Sequence, residues 1–137
     1  MVDQIAGGCL CGAVRYESGS PVSGPAYCHC ASCRRSSGAN AVAWMTVDRH
    51  GFRYTRGTPR EYASSAPVRR TFCGDCGSTL TYWNRESPNT IDITIATLDE
   101  PSEIRPVDHI WMSDAIAWDR PADGLPQHAR WRKNPSI

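Results

Sequence analysis

Seven cysteines in three tight groups constrain this chain more than any other feature of its sequence. Cys9 and Cys11 stand two apart, Cys28, Cys30 and Cys33 fall within six residues, and Cys73 and Cys76 frame a Cys-x-x-Cys turn. An odd number of thiols cannot pair completely within one chain. Such close pairs also suit a tetrahedral metal better than a disulfide scaffold. Met1–Gly8 carries no basic stretch followed by an apolar one. No signal peptide is therefore read, and the expected compartment is a reducing cytoplasm, where disulfides are rare. The reading is zinc ligation, against the alternative of buried structural thiols or disulfides.

Cys73-Gly74-Asp75-Cys76-Gly77 has the form of a zinc knuckle, and Cys9-Leu10-Cys11-Gly12 resembles it. A Cys-x-x-Cys turn points backbone N–H groups at the sulfurs, and the following glycine lets the turn close. Together the two pairs supply four thiolates, enough for a closed structural site joining distant parts of the chain. Cys28-His29-Cys30-Ala31-Ser32-Cys33 then remains as a triplet, and three protein ligands with an open fourth position is the arrangement of a catalytic zinc. Two alternatives stand at this stage. The triplet is a second structural site closed by His29, His50, His109 or His128. Or Cys28 and Cys30 join Cys9 and Cys11, leaving Cys33 with Cys73 and Cys76. Between two ligands, His29 points away from the metal, as a supporting donor or a solvent-facing residue. Three thiolates leave zinc formally negative, a charge that neighbouring Arg34 and Arg35 are suited to offset.

The remaining composition bounds the function. Fifteen basic and 14 acidic residues in 137 leave a net charge of +1, without the concentrated positive field of a nucleic-acid or membrane-surface protein. No apolar run approaches the roughly 18 residues of a membrane span. The length suits one domain over 1–137. With two Phe, three Met, 11 Gly and 10 Pro, the core is thin, and bound metal would add folding energy.

The periodicity is that of strands. Ala13–Glu17 alternates, Ala41–Val47 reads as a strand buried on both faces, and Ile91–Thr97 is the cleanest alternation, with Ile91, Ile93 and Ile95 on one face. Phe52–Tyr54 and Arg60–Tyr62 flank a turn at Gly57-Thr58-Pro59, and Arg69–Phe72 and Ser78–Trp83 flank the second knuckle. Helical signal is confined to Ala31–Ser37, stopped by Gly38. Residues 121–137 read as an irregular C-terminal tail. The expected architecture is mainly β: small, curled antiparallel sheets clipped by metal.

With these residues in hand, the segments Gly7–Tyr16, Cys28–Arg34 and Phe72–Ser78 resemble the glutathione-dependent formaldehyde-activating enzyme family. His109-Ile110-Trp111 and Asp123-Gly124-Leu125-Pro126 are similar to its C-terminal signature. The resemblance implies a tent of curled β-sheets built around zinc, a fold also seen in a zinc-binding chaperone of Rab GTPases. It implies a structural zinc on Cys9, Cys11, Cys73 and Cys76, and a catalytic zinc on Cys28, Cys30 and Cys33. The implied activity is that of a carbon–sulfur lyase joining or cleaving glutathione sulfur and formaldehyde carbon.

The expected partners are then a small thiol, glutathione or one like it, and a small aldehyde. Zinc lowers a thiol's pKa below its free value of about 8.5 and polarises a carbonyl. The two carboxylates of glutathione call for donors, and Arg34, Arg35, Arg69 and Arg70 flank the metal motifs. Trp44, Tyr54, Tyr82, Trp83 and Trp111 are candidates to line a pocket. The competing readings are a non-catalytic, zinc-stabilised binding module on the same scaffold and a redox sensor that releases zinc on oxidation.

Overall fold

The computed structural model describes residues 4–19 and 22–132. Ten strands and one α-helix occur among them: β1 (Ile5–Gly8), β2 (Arg15–Ser18), β3 (Ser23–Cys28), α1 (Ala31–Ser37), β4 (Val42–Asp48), β5 (Phe52–Arg56), β6 (Arg60–Ser65), β7 (Val68–Phe72), β8 (Thr79–Asn84), β9 (Thr90–Thr94) and β10 (Asp108–Ile110). They form a three-stranded sheet, β1-β2-β5, and a seven-stranded sheet, β10-β3-β4-β9-β8-β7-β6. The mainly β expectation is met. No described helix is long and apolar enough to cross a membrane.

Two local expectations are corrected. The large sheet is mixed, because β10 runs parallel to β3. Parallel partners need a long crossover, and residues 29–107 provide it. The turn expected at Gly57–Pro59 is present, with Gly57 at φ 69°. β5 pairs with β2, whereas β6 pairs with β7, so this turn passes the chain between sheets. The strand expected over Ile91–Thr97 ends at Thr94, and Ile95–Thr97 forms a 3-10 turn instead. Thr94 and Thr97 hydroxyls bond each other there, and the Thr97 hydroxyl donates to the Thr94 carbonyl.

The helix Ala31–Ser37 lies where its sequence places it. Cys30 caps its N-terminus, its sulfur accepting from Cys33 N–H at 3.3 Å. Gly38 ends it at φ 72°, its N–H bonded to Arg34 O at 2.8 Å. A non-glycine residue would be strained there. Residues 121–132 are irregular apart from a bridge between His109 and Gln127. The rest of the expected tail, 133–137, lies outside the described residues.

β4 separates two apolar clusters, as a strand buried on both faces should. Met45 and Val47 belong to the larger, with Ile5, Tyr16, Leu80 and Ile93. Val42 and Trp44 belong to the smaller, with Ala26 and Ile110. Cys9 and Cys73 sit in the first cluster, Cys28 and Cys33 in the second. Each group of thiols is thus built into its own patch of core.

Candidate metal centres and the cavity beside them

The sulfurs of Cys9, Cys11, Cys73 and Cys76 lie within 4.8 Å of one another, as do those of Cys28, Cys30 and Cys33. No disulfide links them; all seven are free thiols. The structure therefore chooses the first partition. The alternative that paired Cys33 with Cys73 and Cys76 is overturned, because the two knuckles meet each other across the sequence.

The two knuckles are built alike. Cys9 N–H donates to Val14 O at 3.0 Å, and Cys73 N–H to Ser78 O at 3.0 Å. Gly12 and Gly77 close the turns at φ 82° and 79°, their N–H groups bonded to the Cys9 and Cys73 carbonyls. Val14 N–H donates to Cys9 Sγ at 3.2 Å, and Leu10 N–H crosses to Ser78 Oγ at 3.0 Å. Bonds to Ser78 lower the Cys76 thiol to about 5, so it is held as thiolate.

These residues fit zinc. Zn–S bonds of about 2.3 Å in a tetrahedron place sulfurs roughly 3.8 Å apart. Cys9 and Cys11 Sγ lie 3.7 Å apart, and Cys11 and Cys73 Sγ 3.8 Å. In the triplet, sulfur contacts from Cys28 and Cys33 hold the Cys30 thiol far below its ordinary value, while contacts with Cys30 and Cys33 push Cys28 up. Close thiols that cannot all ionise unaided are what a bound cation relieves. Among the described residues no His, Asp or Glu joins either cluster. His50 is exposed beside Asp48, and His128 faces Asp108.

The cation at the triplet is neither Arg34 nor Arg35. Arg34 donates to Asp114 O from an exposed position, and Arg35 borders a different depression, beside Tyr62 and Phe72. It is Arg70 whose two terminal nitrogens each lie 3.8 Å from Cys33 Sγ. Its guanidinium is buried, donates to Ser64 Oγ at 3.1 Å, and lies over the Tyr82 ring. Arg69, one residue away, donates to backbone carbonyls of 65, 66 and 68 instead. Strand alternation turns adjacent residues to opposite faces, so two arginines next to each other in sequence have different fates.

A cavity of about 350 Å³ opens on the triplet, lined by all three cysteines and by Trp44, Tyr82 and Trp111. Two other candidate aromatics, Tyr54 and Trp83, line a separate depression. Strand register sets the floor. Thr46, Asp92, Tyr82 and Arg70 are successive partners across β4, β9, β8 and β7, so their side chains share one face. Burial raises the Asp92 carboxyl to about 6 even though Thr46 Oγ1 donates to it at 2.7 Å.

His29 is not solvent-facing. It is 1% exposed, and its Nε2 lies 2.9 Å from His109 Nδ1. His109 Nε2 lies 2.7 Å from the Asp123 carboxylate. These contacts, with Arg132 gripping Asp108 at 2.7 Å, tie the C-terminal segment to the strand that carries Cys28. Asp92, Asp108, Arg132 and Asp119, whose carboxylate lies 3.8 Å from His29 Nδ1, were not singled out in the sequence. Asp92 reads there as the solvent side of an alternating strand, and no local signal distinguishes it.

Two thiol clusters stand on a mixed β frame, one of four sulfurs and one of three beside a cavity, each able to hold a metal ion. The chain belongs to the glutathione-dependent formaldehyde-activating enzyme family, whose profile matches residues 4–114. No curated protein matches it. Among solved structures, a crystal structure of a Rhodobacter sphaeroides protein is similar, with a TM-score of 0.56 at 22% identity over 90% of this chain and 98% of that one. That likeness is one of fold.

Proposed function

We propose that this chain is a zinc-dependent enzyme of the carbon–sulfur lyase type, joining or cleaving the bond between a glutathione-like thiol and a small aldehyde. Cys28, Cys30 and Cys33 hold the catalytic metal, and Cys9, Cys11, Cys73 and Cys76 the structural one. The observation that carries the reading is the convergence of three sulfurs, with no fourth side chain among the described residues, on the wall of a cavity. A second structural site would need that fourth ligand. Family membership supports the thiol and aldehyde as substrate classes.

Zinc, when bound, supplies Lewis acidity at the coordination position the protein leaves free. The chain's own residues do the rest. Arg70 places a fixed positive charge against Cys33, favouring thiolates over thiols and offsetting their charge. Trp44, Tyr82 and Trp111 wall the cavity with apolar surface, which strengthens electrostatic interactions inside it. Cys30 both caps α1 and joins the triplet, so the helix start sets the spacing of Cys30 and Cys33.

The test is exchange spectroscopy of formaldehyde with glutathione over the zinc-loaded protein. Exchange above the uncatalysed rate, lost in Cys30→Ser, is expected. An uncatalysed rate from protein carrying both zinc ions would sink the proposal.

A further inference from the structure

The cavity beside the triplet is charged in a particular way. Two arginines line it, Arg70 and Arg132, and two aspartates, Asp92 and Asp114. Both arginines are already engaged. Arg132 grips Asp108 with Nε at 2.7 Å and Nη2 at 2.5 Å. Arg70 is spent on Cys33, Ser64 and Ser36. Asp114 accepts from Ala31 N–H at the start of α1. Asp92 differs: its one hydrogen bond among the described residues is from Thr46, a neutral hydroxyl, and Arg132 acts on it only through space while hydrogen-bonded to Asp108. It stands on the cavity floor between Thr46 and Tyr82 in the cross-strand row, with the Trp44 ring 6.2 Å from that of Tyr82.

A carboxylate that shares one guanidinium with a second carboxylate, flanked by aromatic rings, is a site for an ammonium group. The carboxylate supplies the counter-charge, and the rings supply quadrupole attraction. A carboxylate placed against Asp92 would meet like charge, with Arg132 held by Asp108 and Arg70 by Cys33 and Ser64. We infer that Asp92 is the specificity-determining residue of the cavity and that the thiol it admits carries an ammonium group at the end remote from its sulfur. A carboxylate on the same thiol is turned away from Asp92. This inference rests on the proposed thiol-binding role of the triplet and adds which thiols are chosen.

The experiment titrates the zinc-loaded full chain with short ω-aminothiols, ω-mercaptocarboxylic acids of matched length, and a neutral alkanethiol, following tryptophan fluorescence. Trp44 and Trp111 line the cavity and report occupancy. Each affinity is expressed relative to the neutral thiol on the same variant. The aminothiol is expected to bind about tenfold or more tightly than the matched acid, the scale of one buried charge-assisted hydrogen bond. In Asp92→Asn, which keeps the side chain's shape, the two should fall within about twofold, since an amide has no charge to discriminate them. Equal affinities in the wild type, a preference for the acid, or a preference that survives in Asp92→Asn would each overturn the inference. The wild-type comparison stands even if the variant folds poorly. If the neutral thiol binds and charge sign makes no difference, only this inference falls. If no thiol binds at all, the proposed function falls and takes the inference with it.

Discussion

His29 Nε2 and His109 Nδ1 lie 2.9 Å apart between two buried rings, although the residues are 80 positions apart in sequence. One must donate and the other accept. His109 Nε2–H donates to the Asp123 carboxylate, which that bond holds below the usual carboxylate range. His109 Nδ1 is then the acceptor and His29 Nε2–H the donor. His29 Nδ1 makes no hydrogen bond, and the Asp119 carboxylate stands 3.8 Å from it. The chain from Asp123 through His109 to His29 thus pins the backbone between Cys28 and Cys30.

Breaking one link should cost more than removing both buried rings. His109→Leu strands the His29 donor, an expected loss of about 1–3 kcal/mol. The double variant His29→Leu, His109→Leu leaves no buried donor unpaired and should recover part of that loss. Urea melts of the three proteins check this; a double variant less stable than the single one refutes the donor assignment.

The two thiol clusters should differ in what they hold. Cys73→Ser removes a ligand from a site that ties the start of the chain to the β7–β8 turn. Structural zinc in small domains is worth on the order of 10 kcal/mol, comparable to a whole domain's stability. Unfolding with loss of metal is expected. Cys30→Ser closes no long loop, and serine is itself a good N-cap for α1. It should lose about one zinc, that of the open three-ligand site, and stay folded. Metal analysis with circular dichroism melts of both variants decides, and collapse of Cys30→Ser would make the triplet structural.

Arg70 has a signature in pH. Sulfur contacts with Cys28 and Cys33 chiefly lower the Cys30 thiol and the Arg70 charge adds to that; the Cys33 thiol is raised overall, with Arg70 opposing the rise. Arg70→Gln removes that charge, so deprotonation becomes harder and triplet metal binding should shift to higher pH. Competition with a chromophoric chelator across pH reads the shift. A shift toward lower pH, or none in a folded variant, contradicts the role assigned to the guanidinium.

Asp92 should destabilise the fold at neutral pH. Its carboxyl titrates at about 6 in the fold, against about 3.9 for a free aspartate. The folded state binds the proton more tightly, so the group's contribution is most favourable below about pH 4 and is lost as pH rises through about 6. Asp92→Asn, which cannot ionise, should be more stable than wild type at pH 8 by about 1–3 kcal/mol. The difference should shrink toward zero near pH 4. A pH-independent difference would show that packing, not ionisation, separates the two.

The cysteine groups, the turn glycines Gly12 and Gly77, and the cap at Gly38 were legible in the sequence because each is a local device. The motif pairs a ligand with the residue that closes its turn within a few positions, and the structure puts both where that logic requires. The family, too, was readable from those segments. Strand positions were recovered where an apolar run is buried on both faces, as in β4, and, as far as Thr94, where apolar residues alternate, as in β9.

What surrounds the triplet was decided by tertiary structure. Nothing local distinguishes Arg70 from Arg34, Arg35 or Arg69; strand pairing of β7 with β8 turns one of the four onto Cys33. Asp92 reads as the wet face of a strand, until β4 and β8 flank it and close that face into a cavity. His109 reaches His29 only because β10 lies parallel to β3, a pairing with no turn to announce it. The sequence by itself determined which residues are placed to bind metal, since ligand chemistry and turn geometry act over a few bonds. Only the tertiary structure decided which charges and rings face the thiol triplet, because sheet register brings together side chains that the chain order keeps far apart.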